Sequence, residues 1–262
     1  MVLLNVSRSG PGIGGIQPAQ ADYNQVTRRG GNGDYKIPVL APSTMQEAVN
    51  IIYESFETAD KLRNPVIILA DGMMGQMMEP VTLPEPKQLY KDEADIPNYK
   101  PWALTGSKGK SHRNVIKSYR ALPEDLEVHV NHLFEKYRKA EKDLVRYETI
   151  NTKDAEIVFV AFGTMARIVS EVIEVLNTEG IKAGMIRPIS LWPFPKAPFD
   201  ELSPDKTKVV ISTELNMGQM IVDVQLSLNG RIPVRLINRV GGIVPTTDEI
   251  VERAKKILGE IK

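Results

Sequence analysis

From residue 157 onward, short apolar runs alternate with longer amphipathic segments, and this alternation restricts the possible folds more than any other feature of the chain. Residues 157–162, 182–186, 209–213 and 233–237 read as strands, while 166–176, 218–228 and 247–258 carry apolar residues at helical spacing. Thr246-Thr247-Asp248 supplies a cap for the last helix. Mainly apolar strands separated by helix-length segments need cover on both faces. The pattern therefore predicts a compact α/β unit with a mainly parallel sheet over residues 151–262.

The first part of the chain is less complete. Residues 2–6 form an apolar run that feeds the loop Ser7-Arg8-Ser9-Gly10-Pro11-Gly12-Ile13-Gly14-Gly15. A second short strand is expected at 37–40. The segment 41–44 supplies an N-cap for a helix over 45–62, with Val49, Ile52, Phe56 and Ala59 as its apolar stripe. Residues 65–70 read as a strand buried on both faces. Three strands and one helix make a poorly covered sheet. Residues 1–80 thus look like the later part of a larger α/β domain whose beginning is absent or comes from another chain. Residues 80–123 hold six of the 18 prolines and read as an extended surface excursion. Pro123 opens a helix expected to run to about Tyr147, striped by Leu126, Val130, Leu133, Phe134, Tyr137, Leu144 and Val145. The expected organisation is 1–80, a linker and connecting helix over 81–150, and 151–262.

Composition narrows the chemistry. Lys+Arg and Asp+Glu both total 33, so no global basic field points to nucleic acid. No apolar run is long enough to span a membrane, the first residues are too short for a signal peptide, and the expected location is cytoplasmic. The chain has no cysteine. A disulfide, a thiol nucleophile, a Cys-ligated zinc and a cysteine-held iron–sulfur cluster are all excluded. If the protein serves redox chemistry, another chain carries the electrons.

Among candidate sites, Gly10-Pro-Gly12-Ile-Gly14-Gly15 matches the dinucleotide fingerprint G-x-G-x-x-G. That fingerprint needs a helix starting at its third glycine, which Pro18 and the polar residues after it disfavour; a tight turn close to another backbone is the simpler reading. Arg8 stands at the end of the first strand, where α/β sheets bind ligands, and could hold a carboxylate. A surface ion pair is the alternative. His129, His132 and Glu135 read as a solvated helix face rather than a metal site, and Met73, Met74, Met77 and Met78 as packing residues. Glu214, Asn216 and Gln219 sit where a strand passes into a helix and could bind a ligand or partner, although Asn216 could equally cap the helix. The 187–195 segment reads as a proline-rich turn carrying an exposed aromatic, used for packing or an interface.

Taken in order, several motifs resemble the alpha subunit of the 2-oxoacid:ferredoxin oxidoreductases over essentially the whole chain. In the first part these are Arg8-Ser-Gly-Pro11-Gly, Pro18-Ala-Gln20-Ala-Asp22-Tyr23, Gly30-Gly-Asn32-Gly33-Asp34-Tyr35, Val39-Leu-Ala-Pro42-Ser and the run from Asn64 to Gly72. In the second they are Arg187-Pro-Ile-Ser-Leu-Trp-Pro-Phe-Pro195, Glu214-x-Asn216-x-Gly218-Gln219 and Arg239-Val-Gly-Gly242. The segments from Asp71 to Pro80 and from Lys100 to Gly106 look most like the branch that acts on 3-methyl-2-oxobutanoate (2-oxoisovalerate).

The resemblance implies an incomplete thiamine-diphosphate pyrimidine-type domain followed by a transketolase C-terminal-like α/β domain. It implies oxidative decarboxylation of a 2-oxoacid to acyl-coenzyme A and carbon dioxide, with thiamine diphosphate and Mg shared with or held by a beta subunit. Electrons would leave through gamma and delta subunits to ferredoxin. Arg8 matches the arginine that contacts the 2-oxoacid, and Gln20, Asp22, Asn32, Asp34, Glu214, Asn216 and Gln219 become site or interface candidates. Two departures stand out. The family's Tyr-Pro-Ile-Thr-Pro segment and the glutamate that activates the aminopyrimidine ring would lie upstream of Arg8 and do not occur here, and Asn32 replaces the usual histidine. On this reading the polypeptide is a shortened chain, a split subunit or a piece that needs a complementary chain, and alone does not activate thiamine diphosphate. A transketolase or 2-oxoacid dehydrogenase E1-like subunit, and a non-catalytic structural subunit, are the alternatives.

Overall fold

A computed structural model describes residues 1–261 apart from Arg29, Leu89, Tyr90, Glu93, Ala94, Lys110 and Ser111. Six of these exceptions fall within the proline-rich stretch, where the expected surface excursion lies partly outside the described residues.

The N-terminal region contributes β1 (Val2–Ser7), the short α1 (Tyr23–Thr27), β2 (Val39–Leu40), α2 (Met45–Leu62) and β3 (Val66–Asp71). After α3 (Ile96–Tyr99), the long α4 (Pro123–Asp143) leads into β4 (Tyr147–Ile150). The remainder runs β5 (Ile157–Val160), α5 (Gly163–Thr178), β6 (Ala183–Pro188), β7 (Ser190–Trp192), α6 (Ala197–Asp200), β8 (Val209–Glu214), α7 (Ile221–Leu228), β9 (Val234–Asn238) and α8 (Thr247–Ile261). No helix among the described residues is long and apolar enough to cross a membrane.

Two sheets result. The second has the order β4-β6-β5-β8-β9, parallel except for β4, which pairs antiparallel along one edge. One face of it packs on α5 and α8 through Phe159, Met165, Val169, Ile211, Ile250 and Leu258. Its other face belongs to a core shared with the N-terminal region, where Val158, Val160 and Val210 meet Tyr23, Val39, Leu69, Tyr137 and Trp192. The first sheet has the order β1-β3-β2-β7. Here β7, from the second part of the chain, pairs antiparallel with β2. The segment expected to be a turn with an exposed aromatic is therefore a strand, and Trp192 is only 8% exposed, edge-on to Tyr137. The main-chain N–H and C=O groups of β7 and of β2's free edge satisfy each other, which a local reading of the prolines does not reveal.

The helix over 45–62 forms as expected because Thr44 accepts the Glu47 N–H at the N-cap, while Arg63 closes the C-terminus in the left-handed conformation. Its buried face overlaps the expected stripe only in part, at Ala59 and at Ile52, which packs against the core. Ala48, Ile51, Ser55 and Ala59 face the sheet, while Phe56 is 58% exposed. Ala48, Ser55 and Ala59 are small, which lets α2 approach the sheet closely around Ile51. The helix from Pro123 ends at Asp143, earlier than expected, because Tyr147–Ile150 gains a strand partner in β6.

Glu47 also ties α2 to the second sheet. Arg187 on β6 donates from both terminal nitrogens to Glu47 at 2.9 Å and from Nε to Glu148 at 2.8 Å. Burial by itself would raise the Glu47 carboxyl, but hydrogen bonds from Arg187 and Ser43 and the guanidinium charge outweigh it and hold the pKa below the usual glutamate value. A depressed folded-state pKa stabilises the fold above the unfolded value, near 4.3, and that stabilisation disappears as pH falls through the folded value. The melting temperature, followed by circular dichroism from about pH 6 to about pH 3, is expected to fall less steeply in Glu47→Gln than in wild type; parallel curves would show that this pair does not contribute to acid sensitivity.

Candidate active site at the strand ends

The C-terminal ends of β1, β3, β5, β8 and β9 converge on the seam between the two sheets. The glycine loop that follows β1 is a closed excursion. Ser9 N–H donates to Gln17 O at 3.0 Å, Gly15 N–H donates to Ser9 O at 2.9 Å, and Arg8 bridges Pro18 in antiparallel fashion. Gly14 needs to be glycine, since its φ is +50° and a Cβ would stand 1.9 Å from Ser9 O. Gly242, in the turn after β9, presses on this loop, where a Cβ would come within 2.0 Å of Gln17 Cβ. The expected tight turn close to another backbone is what forms. No helix starts at Gly15, so the dinucleotide geometry is absent; the next helix is the five-residue α1.

Arg8 lies on the exposed rim of this loop. Its Nη1 donates to the carbonyls of Ile13 and Gly15, the latter at 3.0 Å. These bonds pin the guanidinium to its own loop. Nε and Nη2 have no hydrogen-bond partner among the described residues and remain open to a ligand. No acidic side chain among the described residues forms the surface ion pair considered as the alternative.

Beneath the loop, four candidates come together as a buried polar seam. Gln20 is 1% exposed. Its Nε2 donates to Phe162 O at 2.9 Å, its Oε1 accepts Leu215 N–H at 3.1 Å, and its carbonyl accepts Asn216 Nδ2 at 2.9 Å. Asn216 Oδ1 accepts the N–H groups of Gly218 and Gln219. Glu214, fully buried, accepts from Gln219, Met220 and Ile221 N–H and from Ser212 Oγ. Gln219 Nε2 donates to Ala21 O at 2.7 Å, and its Oε1 accepts Asn24 N–H at 2.7 Å. Each of these polar groups is directed at protein atoms. The geometry makes Asn216 a cap of the turn into α7, and the set a bolt between the Arg8 loop's return strand and the end of β8.

The other candidates are not part of this seam. Asp22 is half-buried beside α1 with no capping hydrogen bond from its side chain, and Asn32 and Asp34 lie on an exposed segment. His132 and Glu135 line a cavity of about 640 Å³ between α2 and α4, remote in the fold from the glycine loop. Met74 is buried, whereas Met78 is 97% exposed.

Two further polar centres escape a sequence reading. Asp71, at the end of β3 and opposite Ser7, is 2% exposed; its Oδ1 accepts from Met73 N–H, Met74 N–H and Thr164 Oγ1, joining the first sheet to α5. The only signal was an aspartate closing an apolar run. Tyr23 donates to Asp223 at 2.6 Å, and Arg28 pairs with the same carboxylate at 2.8 Å. Burial, reinforced by the Asp223 carboxylate, pushes the Tyr23 phenol well above its usual pKa, so it stays a donor.

Among the described residues, no group of three His, Asp or Glu side chains is placed to hold a metal ion. The buried carboxylates Asp71 and Glu214 are already occupied by main-chain N–H groups. Neither carboxylate is therefore free to ligate a magnesium ion.

Residues 1–149 match the family model described as pyruvate flavodoxin/ferredoxin oxidoreductase, thiamine diphosphate-binding, and residues 155–250 match pyruvate:ferredoxin oxidoreductase core domain II. The chain belongs to the 2-oxoacid:ferredoxin oxidoreductase family. Within that family it is similar to the ketoisovalerate oxidoreductase subunit VorB of Methanothermobacter marburgensis, at 40% identity over 259 residues, covering 99% of this chain and 71% of the relative. The VorB subunit of Methanothermobacter thermautotrophicus is 38% identical with the same coverage. In fold, the chain is similar to a solved 2-oxoglutarate:ferredoxin oxidoreductase from Magnetococcus marinus, with a TM-score of 0.77 at 22% identity. That match covers 98% of this chain, which spans about half of the solved one, at 48%.

Proposed function

We propose that this chain is the alpha subunit, or the C-terminal portion of one, in a cytoplasmic thiamine diphosphate-dependent complex that oxidatively decarboxylates 3-methyl-2-oxobutanoate. The products are acyl-coenzyme A and carbon dioxide, and the electrons pass to ferredoxin. The observation that carries this reading is Arg8, a guanidinium fixed on its own loop carbonyls at the end of a parallel strand, with two donor positions left open.

A fixed guanidinium is suited to a carboxylate. Its remaining N–H groups form charge-assisted hydrogen bonds, and loop anchoring reduces the freedom lost on binding. Holding the carboxylate there orients the 2-oxo carbon for attack. When bound, thiamine diphosphate supplies the nucleophilic carbon and the electron sink for decarboxylation. One feature supports assigning the Mg to a beta subunit: the buried carboxylates Asp71 and Glu214 are already bound by main-chain N–H groups. The lack of cysteine supports assigning electron transfer to gamma and delta subunits. The polar seam of Gln20, Glu214, Asn216 and Gln219 keeps the Arg8 loop in register with the second sheet.

The test is to purify the chain with its partner subunits through a tag and to assay coenzyme A-dependent viologen reduction with 3-methyl-2-oxobutanoate. Reduction that requires both coenzyme A and the 2-oxoacid is expected. A complete complex that lacks this activity, beside an active relative assayed identically, would leave the non-catalytic structural reading in place.

A further inference from the structure

Between Asp95 and Glu124 the chain has no acidic residue, yet six of its 33 Lys and Arg residues fall there. Within this stretch, residues 113–120 run without helix or strand, and residues 113–119 donate no main-chain N–H to a protein acceptor among the described residues. The segment is not a loose tail. Asn114 Nδ2 donates to the carbonyls of Pro101 at 2.6 Å and Ala103 at 3.0 Å, and Pro123 begins α4. Between these anchors, Val115, Ile116, Tyr119 and Leu122 are between 55% and 74% exposed. Arg113, Lys117 and Arg120 form no ion pair among the described residues, and Arg120 instead donates to the carbonyls of Lys117 and Tyr119. One short segment thus combines unneutralised cations, bare apolar side chains and an open main chain. Such apolar groups forgo burial until another surface covers them.

We propose that residues 113–122 are a docking arm for a partner subunit of the complex, one that presents acidic side chains around an apolar groove. The inference rests on the reading of this chain as one subunit among several different ones. Each feature of the arm specifies its counterpart. Cations with no local carboxylate select carboxylates on the partner and steer its approach. The apolar side chains supply the buried centre of the contact, with the cations at its rim. Free main-chain N–H groups let the partner add hydrogen bonds along an extended segment, and the ordering cost is small because both ends are already anchored. Nucleic acid matches the arm less well. Val115, Ile116 and Leu122 are aliphatic and offer bases no ring to stack on.

Trypsin cuts after Arg113, Lys117 and Arg120 report on the arm directly. In the isolated chain these cuts are expected among the first. In the complex purified with its partner subunits they should slow at least about 10-fold. A carbodiimide, which joins amines to carboxylates in contact, should link Lys117 to an Asp or Glu of a partner subunit, located by mass spectrometry. Lys117→Glu/Arg120→Glu is expected to raise the Kd for the partner subunits about 10-fold, with a larger deficit at low salt than at high. Val115→Ser/Ile116→Ser should weaken binding at every salt concentration. Both double variants should melt within about 1 °C of wild type, because the arm is exposed. Equal cutting of the free chain and the complex overturns the inference. So do links from Lys117 that reach only copies of this chain, protection that nuclease removes, or an unchanged Kd in either variant. If the complex assembles and reduces viologen with the arm still cut at the free rate, only the role of the arm fails; if wild type retains no other subunit, the multi-subunit reading fails and the arm with it.

Discussion

Arg8→Ala is expected to lower kcat/KM for the 2-oxoacid about 100-fold in the assembled complex, roughly 2.7 kcal/mol, with a melting temperature within about 1 °C of wild type. The reasoning separates catalysis from stability. The guanidinium is exposed, and its protein contacts are hydrogen bonds to two carbonyls of its own loop, so its removal costs the fold little. What is lost is a charge-assisted, two-pronged contact with a substrate carboxylate. Arg8→Lys should recover only part of the loss, because an ammonium keeps the charge and can cap the loop carbonyls but lacks the planar fork. Steady-state kinetics over a range of 2-oxoacid and coenzyme A concentrations read this directly. The defect should appear in the 2-oxoacid parameters and leave the coenzyme A KM unchanged. Unaltered kinetics would remove Arg8 from the site.

Glu214→Ala is expected to have the opposite profile, a loss of stability of about 3 kcal/mol and a fall of roughly 6–12 °C in melting temperature. Its buried carboxylate accepts three successive N–H groups at the start of α7 and the Ser212 hydroxyl. Alanine leaves the Met220 and Ile221 N–H groups and the Ser212 hydroxyl without this acceptor, while Gln219 N–H keeps Asn216 Oδ1. Glu214→Gln should be less severe, since the amide oxygen still accepts while its NH₂ faces donors that it cannot satisfy. Scanning calorimetry on the three proteins orders them wild type, Gln, Ala. A difference below about 2 °C between wild type and Ala would show that the seam does not bear on stability.

The two variants also mark how the site was and was not readable. Arg8 stood out because an arginine at the end of an apolar run beside glycines is unusual, and its location needs only β1 and the loop after it. Glu214, Asn216, Gln219 and Gln20 stood out as polar residues near a strand end, but what they do depends on partners far away in the chain. Gln20 meets Phe162, and Tyr23 meets Asp223, across separations of 142 and 200 residues. Asp71 gave almost no signal, since its hydrogen bond to Thr164 joins elements that neither local stretch specifies.

The same division runs through the fold. Thr44, Glu47 and the 3.6-residue periodicity locate α2 to the residue, because capping and helix period are local physics. Alternating apolar runs reveal β5, β6, β8 and β9 for the same reason, and the absence of cysteine restricts the chemistry without any structure at all. Pairing is not local. A strand pattern says that a segment wants a partner, but not which edge supplies it, so the start of β4 was read as the end of a helix and β7 as turn until β6 and β2 offered them ladders. Which side of α2 is buried was likewise decided by how closely the sheet could approach. Local spacing thus specifies which elements form, whereas burial, edge pairing and the placement of buried hydrogen bonds are properties of the assembled chain, because each depends on atoms that only folding brings together.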